Sequence, residues 1–312
     1  MGVPRTPHAA RRAAAAGRGV GARGEHGGGH SERASPARAA AGTLVRRAAR
    51  GTRSCAPGAV ALALTLALAA GCSGGGAGGF ADAGPLGAAG DSAGAASEVL
   101  ALAREAAGDT ERVVISFATG DGRRAPSVSA VRGELRRDLG VVRIALPPEV
   151  VATRATEDRI GGRLAGPVFV VHSLDGPWFV DVHLAAPARA RLVARGGGAV
   201  AVELVRGGGP LPPPAALGPN AVLLAPRAGP AGGPLEVAGY ARTFEANVNV
   251  RLLAGGALVA DTFTTAADYL STWGEFRAAL PAPPAGRCSV FAGEPEMEGD
   301  GWRGAGVAIE GR

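Results

Sequence analysis

The clearest β pattern of the chain lies at residues 247–265, which read NVNVRLLAGGALVADTFTT. Val248, Val250 and Leu252 are apolar, and polar residues stand between them. Successive side chains of a strand point to opposite faces, so this alternation predicts a strand with one buried and one exposed face. The turn Ala254-Gly255-Gly256 supplies residues that accept positive φ, and it therefore predicts a hairpin into the strand that follows.

Seven candidate strands, including the two of this hairpin, lie between residues 221 and 309. They are Ala221–Ala225, Pro234–Tyr240, Asn247–Leu253, Ala257–Thr265, Trp273–Leu280, Cys288–Gly293 and Gly304–Ile309. About seven short strands in roughly 100 residues is typical of an immunoglobulin-like β-sandwich. We predict that fold for residues 220–312.

Residues 98–206 have the composition of a second, smaller β-rich domain, which makes the fold class all-β. Short apolar segments bounded by Gly, Pro, Asp or Asn predict its strands; they lie at 111–119, 140–146, 166–173, 176–184 and 198–205. Residues 98–107, EVLALAREAA, show helical spacing of apolar residues and predict one short helix. The run GGGPLPPPAALGP at 207–219 sustains neither a helix nor a central strand, so we interpret it as a linker between two domains.

Net charge is divided sharply along the chain. Residues 1–71 hold 11 Arg against two Glu, a net charge of +9, whereas residues 72–312 hold 22 Arg against 25 acidic residues, a net charge of −3. The overall charge of +6 therefore belongs to the N-terminal segment. A basic surface that binds nucleic acid is not expected on the remainder of the chain.

The division falls at a signal sequence. Residues 59–70, AVALALTLALAA, form an apolar run of 12 that follows several Arg residues and precedes Gly71 and Cys72. A membrane-spanning helix needs about 20 apolar residues, whereas a signal sequence needs about 7 to 15. The run at 59–70 is therefore too short to span a membrane and has the length of a signal sequence. The stretch Leu68 to Cys72 resembles the lipobox of bacterial lipoproteins, with Ala69 where Leu is preferred. The resemblance implies cleavage before Cys72 and acylation of its thiol; the alternative is an ordinary signal with a chance cysteine.

We therefore expect an extracytoplasmic protein that is lipid-anchored to the cell membrane through Cys72. Two acyl chains give a stable anchor where one is marginal. The basic leader of about 50 residues is long for a signal peptide, so either translation starts near residues 44–45 or the leader is a disordered cytoplasmic tail. Residues 72–97 are rich in Gly, Ala and Ser, and we interpret them as a flexible tether.

The C-terminal region resembles the immunoglobulin-like domain of bacterial spore germination over roughly residues 218–312. The similarity lies in PLEVAGYARTFEANVNVRLL at 234–253, ALVADTFTTA at 257–266, WGEFRAAL at 273–280 and SVFAGE at 289–294. Residues 294–302, EPEMEGDGW, depart from the family, which tends to have a shorter turn there. The resemblance implies an accessory β domain of germination or envelope proteins, without catalytic residues. The 98–206 region resembles, more faintly, AMIN-type envelope domains.

Candidate site residues outside Cys72 are few. His172, Asp175, Asp181 and His183 lie close in sequence and suggest either a metal site or an acid–base pair; the competing interpretation, a solvated sheet face, is favoured because His172 lies across a turn. Residues 172–183 contain no nucleophile elbow, P-loop or zinc-protease motif. We predict neither catalytic nor metal nor cofactor residues.

Four other side chains carry alternative interpretations. Cys288 is expected to be a buried thiol in a strand, rather than a reactive one. Trp178, Trp273 and Trp302 are aromatic residues of the kind that stack on sugars; Trp273 is expected in the core, and Trp302, in an acidic Gly-rich loop, is the better surface candidate.

Together these observations predict a non-enzymatic envelope lipoprotein. Its β domains are expected to bind cell-wall polymer such as peptidoglycan, or another envelope protein, in spore formation or germination. The alternative is a solute-binding or enzyme-accessory lipoprotein.

Overall fold

The computed structural model describes residues 79–312. They lie within one compact unit, Ala69–Arg312. Cys72, the signal sequence and the basic leader fall outside the described residues. Residues 79–312 contain no helix that could span a membrane.

The protein is almost entirely β, which confirms the predicted fold class. One 3-10 turn, Phe244–Ala246, interrupts the strands. The strands are Gly84–Ala89 (β1), Glu98–Ala107 (β2), Thr110–Ala118 (β3), Val131–Arg136 (β4), Val141–Ala145 (β5), Ala152–Thr153 (β6), Glu157–Asp158 (β7), Ala165–His172 (β8), Phe179–Leu184 (β9), Ala188–Ala194 (β10), Ala199–Arg206 (β11), Ala216–Leu217 (β12), Ala221–Ala225 (β13), Gly229–Ala231 (β14), Leu235–Ala241 (β15), Asn247–Ala254 (β16), Ala257–Thr265 (β17), Trp273–Leu280 (β18), Gly286–Pro295 (β19) and Trp302–Gly311 (β20).

Three sheets are formed by these strands. A ten-stranded sheet has the order β1-β4-β5-β9-β8-β18-β15-β13-β12, with β7 paired to β8. A five-stranded sheet, β10-β11-β3-β2-β6, contributes to the N-terminal core, and a second, β14-β20-β19-β16-β17, contributes to the C-terminal core.

The long sheet runs through both halves of the described chain. Its two parts meet where β18 pairs in parallel with β8, at Trp273 opposite Val171 and Gly274 opposite His172. Two separate domains were predicted, but the sequence pattern did not indicate that a single sheet continues from one into the other.

Each half has its own apolar core on one side of the long sheet. The N-terminal core contains Val99, Ile115, Phe117, Ile144 and Val180, and the C-terminal core contains Val237, Val248, Val250, Phe276 and Val290. A third cluster lies on the opposite face of the long sheet at the junction. It contains Phe169, Val171, Phe179, Val222, Leu224, Tyr240 and Trp273.

The seven strands predicted in the C-terminal region are confirmed as β13 and β15 to β20, with no end displaced by more than two residues. The short strand β14 was not predicted. It pairs in parallel with the last strand, β20, at the edge of the C-terminal sheet.

The predicted helix over 98–107 is wrong, because this segment is the strand β2. It pairs with β3 from Glu98 opposite Ala118 to Ala107 opposite Thr110. Only Gly108 and Asp109 lie between the two strands, and Gly108 has φ +59°. Gly108 and Asp109 form a two-residue hairpin turn, so residues 98–107 pair with β3 as a strand. The helical spacing of the apolar residues did not indicate this pairing.

The flexible tether predicted for 72–97 is wrong over its second half. Residues 84–89 form β1, which pairs with β4, and Ala89 and Ala96 are buried. Gly84 and Gly87 adopt positive φ along this irregular strand. The segment is ordered through backbone pairing, although it carries few large side chains. The proline-rich segment predicted as a linker over 207–219 ends in β12, which pairs with β13.

Candidate functional site

The outer surface of the C-terminal sheet carries a group of aromatic side chains. On β16 the inward residues Val248, Val250 and Leu252 are fully buried. The residues between them therefore face outward. The same alternation turns Phe263 of β17 and Phe291 of β19 to the outer side, along with Trp302 at the start of β20.

We call Phe263, Phe291, Trp302 and Arg251 the aromatic face. The rings of Phe291 and Trp302 meet edge to face, with centroids 5.9 Å apart and planes at 85°. The guanidinium carbon of Arg251 lies 4.2 Å from the centre of the Trp302 ring. Phe263 is 73% exposed and Trp302 is 39% exposed, so both rings are open to solvent.

Glycine on β20 makes room for this arrangement. A Cβ on Gly304 would lie 2.5 Å from Cζ of Phe291, so the ring lies directly against the backbone of the neighbouring strand. Gly306 stands opposite Phe291 in the register. The absence of side chains at these two positions leaves Phe291 flat on the sheet and keeps the surface shallow.

A cavity of about 290 Å³ continues the aromatic face at one end. It is lined by Phe244, Asn247, Asn249, Glu294, Pro295, Glu296 and Met297. The carboxylate of Glu294 accepts hydrogen bonds from the Asn220 side chain at 2.5 Å and from the Phe244 amide at 2.6 Å. Amide and carboxylate groups thus stand beside the exposed rings, which is a combination suited to a ligand with both apolar and hydroxyl surfaces.

A cluster of polar side chains lies near the junction at which the two parts of the long sheet meet. Asp181 is fully buried and accepts two hydrogen bonds from Arg143, at 2.9 and 2.8 Å. The Arg143 guanidinium also lies 3.7 Å from the centre of the Phe179 ring. Burial lowers the pKa of Arg143, but the adjacent Asp181 carboxylate outweighs it and the pKa is raised above its ordinary value.

His183 lies on the same face of β9 and is also buried. Its Nε2 is hydrogen-bonded to the hydroxyl of Tyr240 from β15. Burial lowers the pKa of His183 to about 4, against the opposing influence of Asp181, and raises the pKa of Tyr240 well above its ordinary range. Both groups are neutral at pH 7.

The four residues grouped by sequence are not brought together. His172 lies 3.4 Å from Asp268, and Asp175 is an exposed residue 3.9 Å from Arg277. The solvated sheet face expected for this group is wrong for Asp181 and His183, because side chains of three other strands, Arg143, Phe169 and Tyr240, cover them. Within residues 79–312 no three His, Cys, Asp or Glu side chains converge as metal ligands would.

Cys288 is buried in the C-terminal core, as predicted, with its Sγ 3.4 Å from the Pro284 carbonyl oxygen. Trp273 is 1% exposed, and its assignment to the core is confirmed. Trp178 is also buried, and its ring lies 5.2 Å from that of His172. Trp302 is the most exposed of the three tryptophans, as expected.

Sequence reasoning missed Arg251, Phe263 and Phe291 in the aromatic face, and Arg143 and Tyr240 at the junction. Phe263 and Arg251 stand at outward positions of the hairpin whose alternation is plain in the sequence. An exposed aromatic residue at such a position was a signal available from sequence. Nothing local to Tyr240 indicated a partner on β9.

The buried histidine should make stability depend on pH. Its folded pKa of about 4 lies below the unfolded value of about 6.5, so the unfolded chain binds the extra proton as pH falls. The contribution of neutral His183 to the free energy of unfolding is complete above pH 6.5. It falls by about 3 kcal/mol between pH 6.5 and pH 4. Urea unfolding of wild type and His183→Gln at pH 7 and pH 4 measures it. The loss on acidification should be about 3 kcal/mol smaller in the variant, and equal losses would refute the assignment.

Neither a curated protein nor a solved structure matches the chain. A family model matches residues 222–300, from β13 to the loop before β20. That segment of the C-terminal sandwich is similar to the immunoglobulin-like domain of bacterial spore germination.

Proposed function

We propose that this protein is a non-catalytic, lipid-anchored component of the cell envelope that binds cell-wall polymer, in spore formation or germination. The observation that carries the proposal is the aromatic face, where Trp302 and Phe263 remain exposed beside Arg251. The similarity of residues 222–300 to a germination domain supports the cellular setting.

The chemistry of the aromatic face suits a glycan. Sugar rings present apolar C–H faces that pack on aromatic rings, while their hydroxyl groups need hydrogen-bond partners at the ring edge. Here Arg251 and the side chains of Asn247 and Asn249 supply such groups within the same sheet surface. The shallow surface left by Gly304 and Gly306 accepts an extended polymer more readily than a compact solute.

Binding is tested by sedimentation of the full chain with purified insoluble peptidoglycan. Trp302→Ala should reduce the bound fraction about tenfold or more, because a few side chains, with Trp prominent among them, carry most of the binding energy of an interface. The matched control is Tyr269→Ala, which removes a ring that is 40% exposed in a different loop. Failure of the wild type to sediment would refute the proposal, and so would equal losses in the two variants.

The anchor is proposed from the lipobox-like stretch that ends at Cys72. Replacing Cys72 with Ala removes the thiol that would be acylated, and the protein should move from the membrane fraction to the medium. Fractionation followed by immunoblotting measures this change. Retention of Cys72→Ala on the membrane would show that another element holds the protein there.

A further inference from the structure

A second cavity lies away from the aromatic face, between the β8–β9 pair and the proline-rich segment 210–215. Its volume is about 500 Å³. The walls are largely apolar and include Leu139, Pro167, Leu184, Pro187, Leu211 and Pro212. Cavities of this size with apolar walls and few polar groups are the usual form of small-molecule sites.

His183 is the titratable side chain among the lining residues. It is 7% exposed, and its Nε2 is occupied by the Tyr240 hydroxyl. Among the described residues, the side-chain hydrogen bonds give its Nδ1 no partner, and Nδ1 is not one of the buried side-chain atoms without a partner, so it keeps some contact with solvent. His183 is one of the residues that line the cavity, and from this we infer that Nδ1 is reached through the cavity.

The hydrogen bond to Tyr240 determines what Nδ1 offers. The Tyr240 hydroxyl is fully buried, and within residues 79–312 its partner is His183. A buried hydroxyl that donated to nothing would lose a hydrogen bond, so Tyr240 donates to Nε2. A neutral imidazole that accepts at Nε2 carries its proton at Nδ1. The cavity therefore presents one N–H donor in an apolar wall.

Burial disfavours a charged ring at this histidine, and Arg227 and Arg143 act in the same direction, whereas Asp181 opposes them. The charges that influence the pKa of His183 are those of Asp181, Arg143 and Arg227. The carboxylate of Asp181 already accepts two hydrogen bonds from Arg143. Burial keeps the pKa of His183 near 4, so the ring is neutral at physiological pH. A cationic ligand would find no free carboxylate among the lining residues, and it would also lose its hydration in the apolar walls.

We propose that this cavity binds a small uncharged molecule with an apolar ring or branched chain and one carbonyl oxygen, which accepts a hydrogen bond from Nδ1 of His183. This site is separate from the aromatic face and does not depend on polymer binding. Its chemistry matches a solute-binding role carried by the same protein.

The probe is cyclohexanone, whose ring fits the volume and whose oxygen only accepts hydrogen bonds. Saturation-transfer NMR on the full chain should give a saturable signal for cyclohexanone and none for the cyclohexylammonium ion. His183→Phe removes the donor, and Leu211→Trp narrows the cavity without touching the bond to Tyr240. Each variant should reduce the cyclohexanone signal at least fivefold, whereas Leu270→Trp, in an exposed loop, should leave it unchanged.

Leu211→Trp keeps the test decisive if His183→Phe fails to fold, since Leu211 is half-buried outside the strands. A wild-type protein with no cyclohexanone signal would overturn the proposal. So would a signal that Leu211→Trp leaves intact, or an equal response to cyclohexylammonium. None of these results bears on binding to peptidoglycan, so the two proposals fail independently.

Discussion

Replacing Arg143 with Met is expected to lower the free energy of unfolding by about 3 to 5 kcal/mol. The substitution keeps an apolar side chain over Phe179 but removes both hydrogen bonds to Asp181. The Asp181 carboxylate is fully buried and would be left without a counter-charge. Urea unfolding at pH 7 measures the loss.

The double variant Arg143→Met with Asp181→Leu separates the cost of an unpaired charge from the value of the pair. Removing both partners together should restore most of the lost stability, because a buried ion pair gains little over apolar side chains. The matched control is Arg195→Met, in an exposed pair with Glu105, which should change stability by less than about 0.5 kcal/mol. A double variant as unstable as the sum of the two single variants would contradict the account.

Trp273→Ala is expected to cost about 3 to 5 kcal/mol, the range for large aromatic residues removed from a core. The ring is 1% exposed and packs edge to face against Phe169, with centroids 5.1 Å apart, at the point where β18 meets β8. The cavity left behind would therefore lie at the seam of the ten-stranded sheet, the place where β18 pairs with β8.

The comparison for this variant is Trp302→Ala, which removes the same type of side chain from an exposed position and should cost under about 1 kcal/mol. Thermal and urea unfolding of both variants test the difference. A loss below 1 kcal/mol for Trp273→Ala would show that the seam contributes little, and that the two halves are held together by other contacts.

The C-terminal sandwich could be predicted from sequence because β16 alternates between apolar and polar residues, Gly255 and Gly256 form the turn that follows it, and several short apolar segments lie on either side of this hairpin. The segment 98–107 was misread because its alanines and leucines satisfy helical spacing as well as a strand pattern. The deciding feature is the two-residue turn at Gly108, which couples it to β3. Local composition also failed for residues 84–89, where pairing with β4 orders a segment that has few side chains to bury.

The aromatic face and the polar residues at the junction of the long sheet differ in how well they could be predicted from sequence. Trp302 could be identified because the exposure of an aromatic ring beside the acidic stretch 294–301 is a local property, although Trp302 is the first residue of β20 and not part of the loop. The contacts of Asp181 with Arg143 and of His183 with Tyr240 depend on strand order, because the paired residues are 38 and 57 positions apart along the chain. A polar side chain on a sheet face has the same local pattern whether solvent or another strand covers it.

The proposed binding of wall glycan to the aromatic face can be followed through acrylamide quenching of tryptophan fluorescence. Trp302 is 39% exposed, whereas Trp178 and Trp273 are buried, so quenching reports mainly on Trp302. Addition of soluble peptidoglycan fragments should protect the wild-type protein from acrylamide and have no such effect on Trp302→Phe. Quenching of the wild type that the fragments leave unchanged would contradict the account.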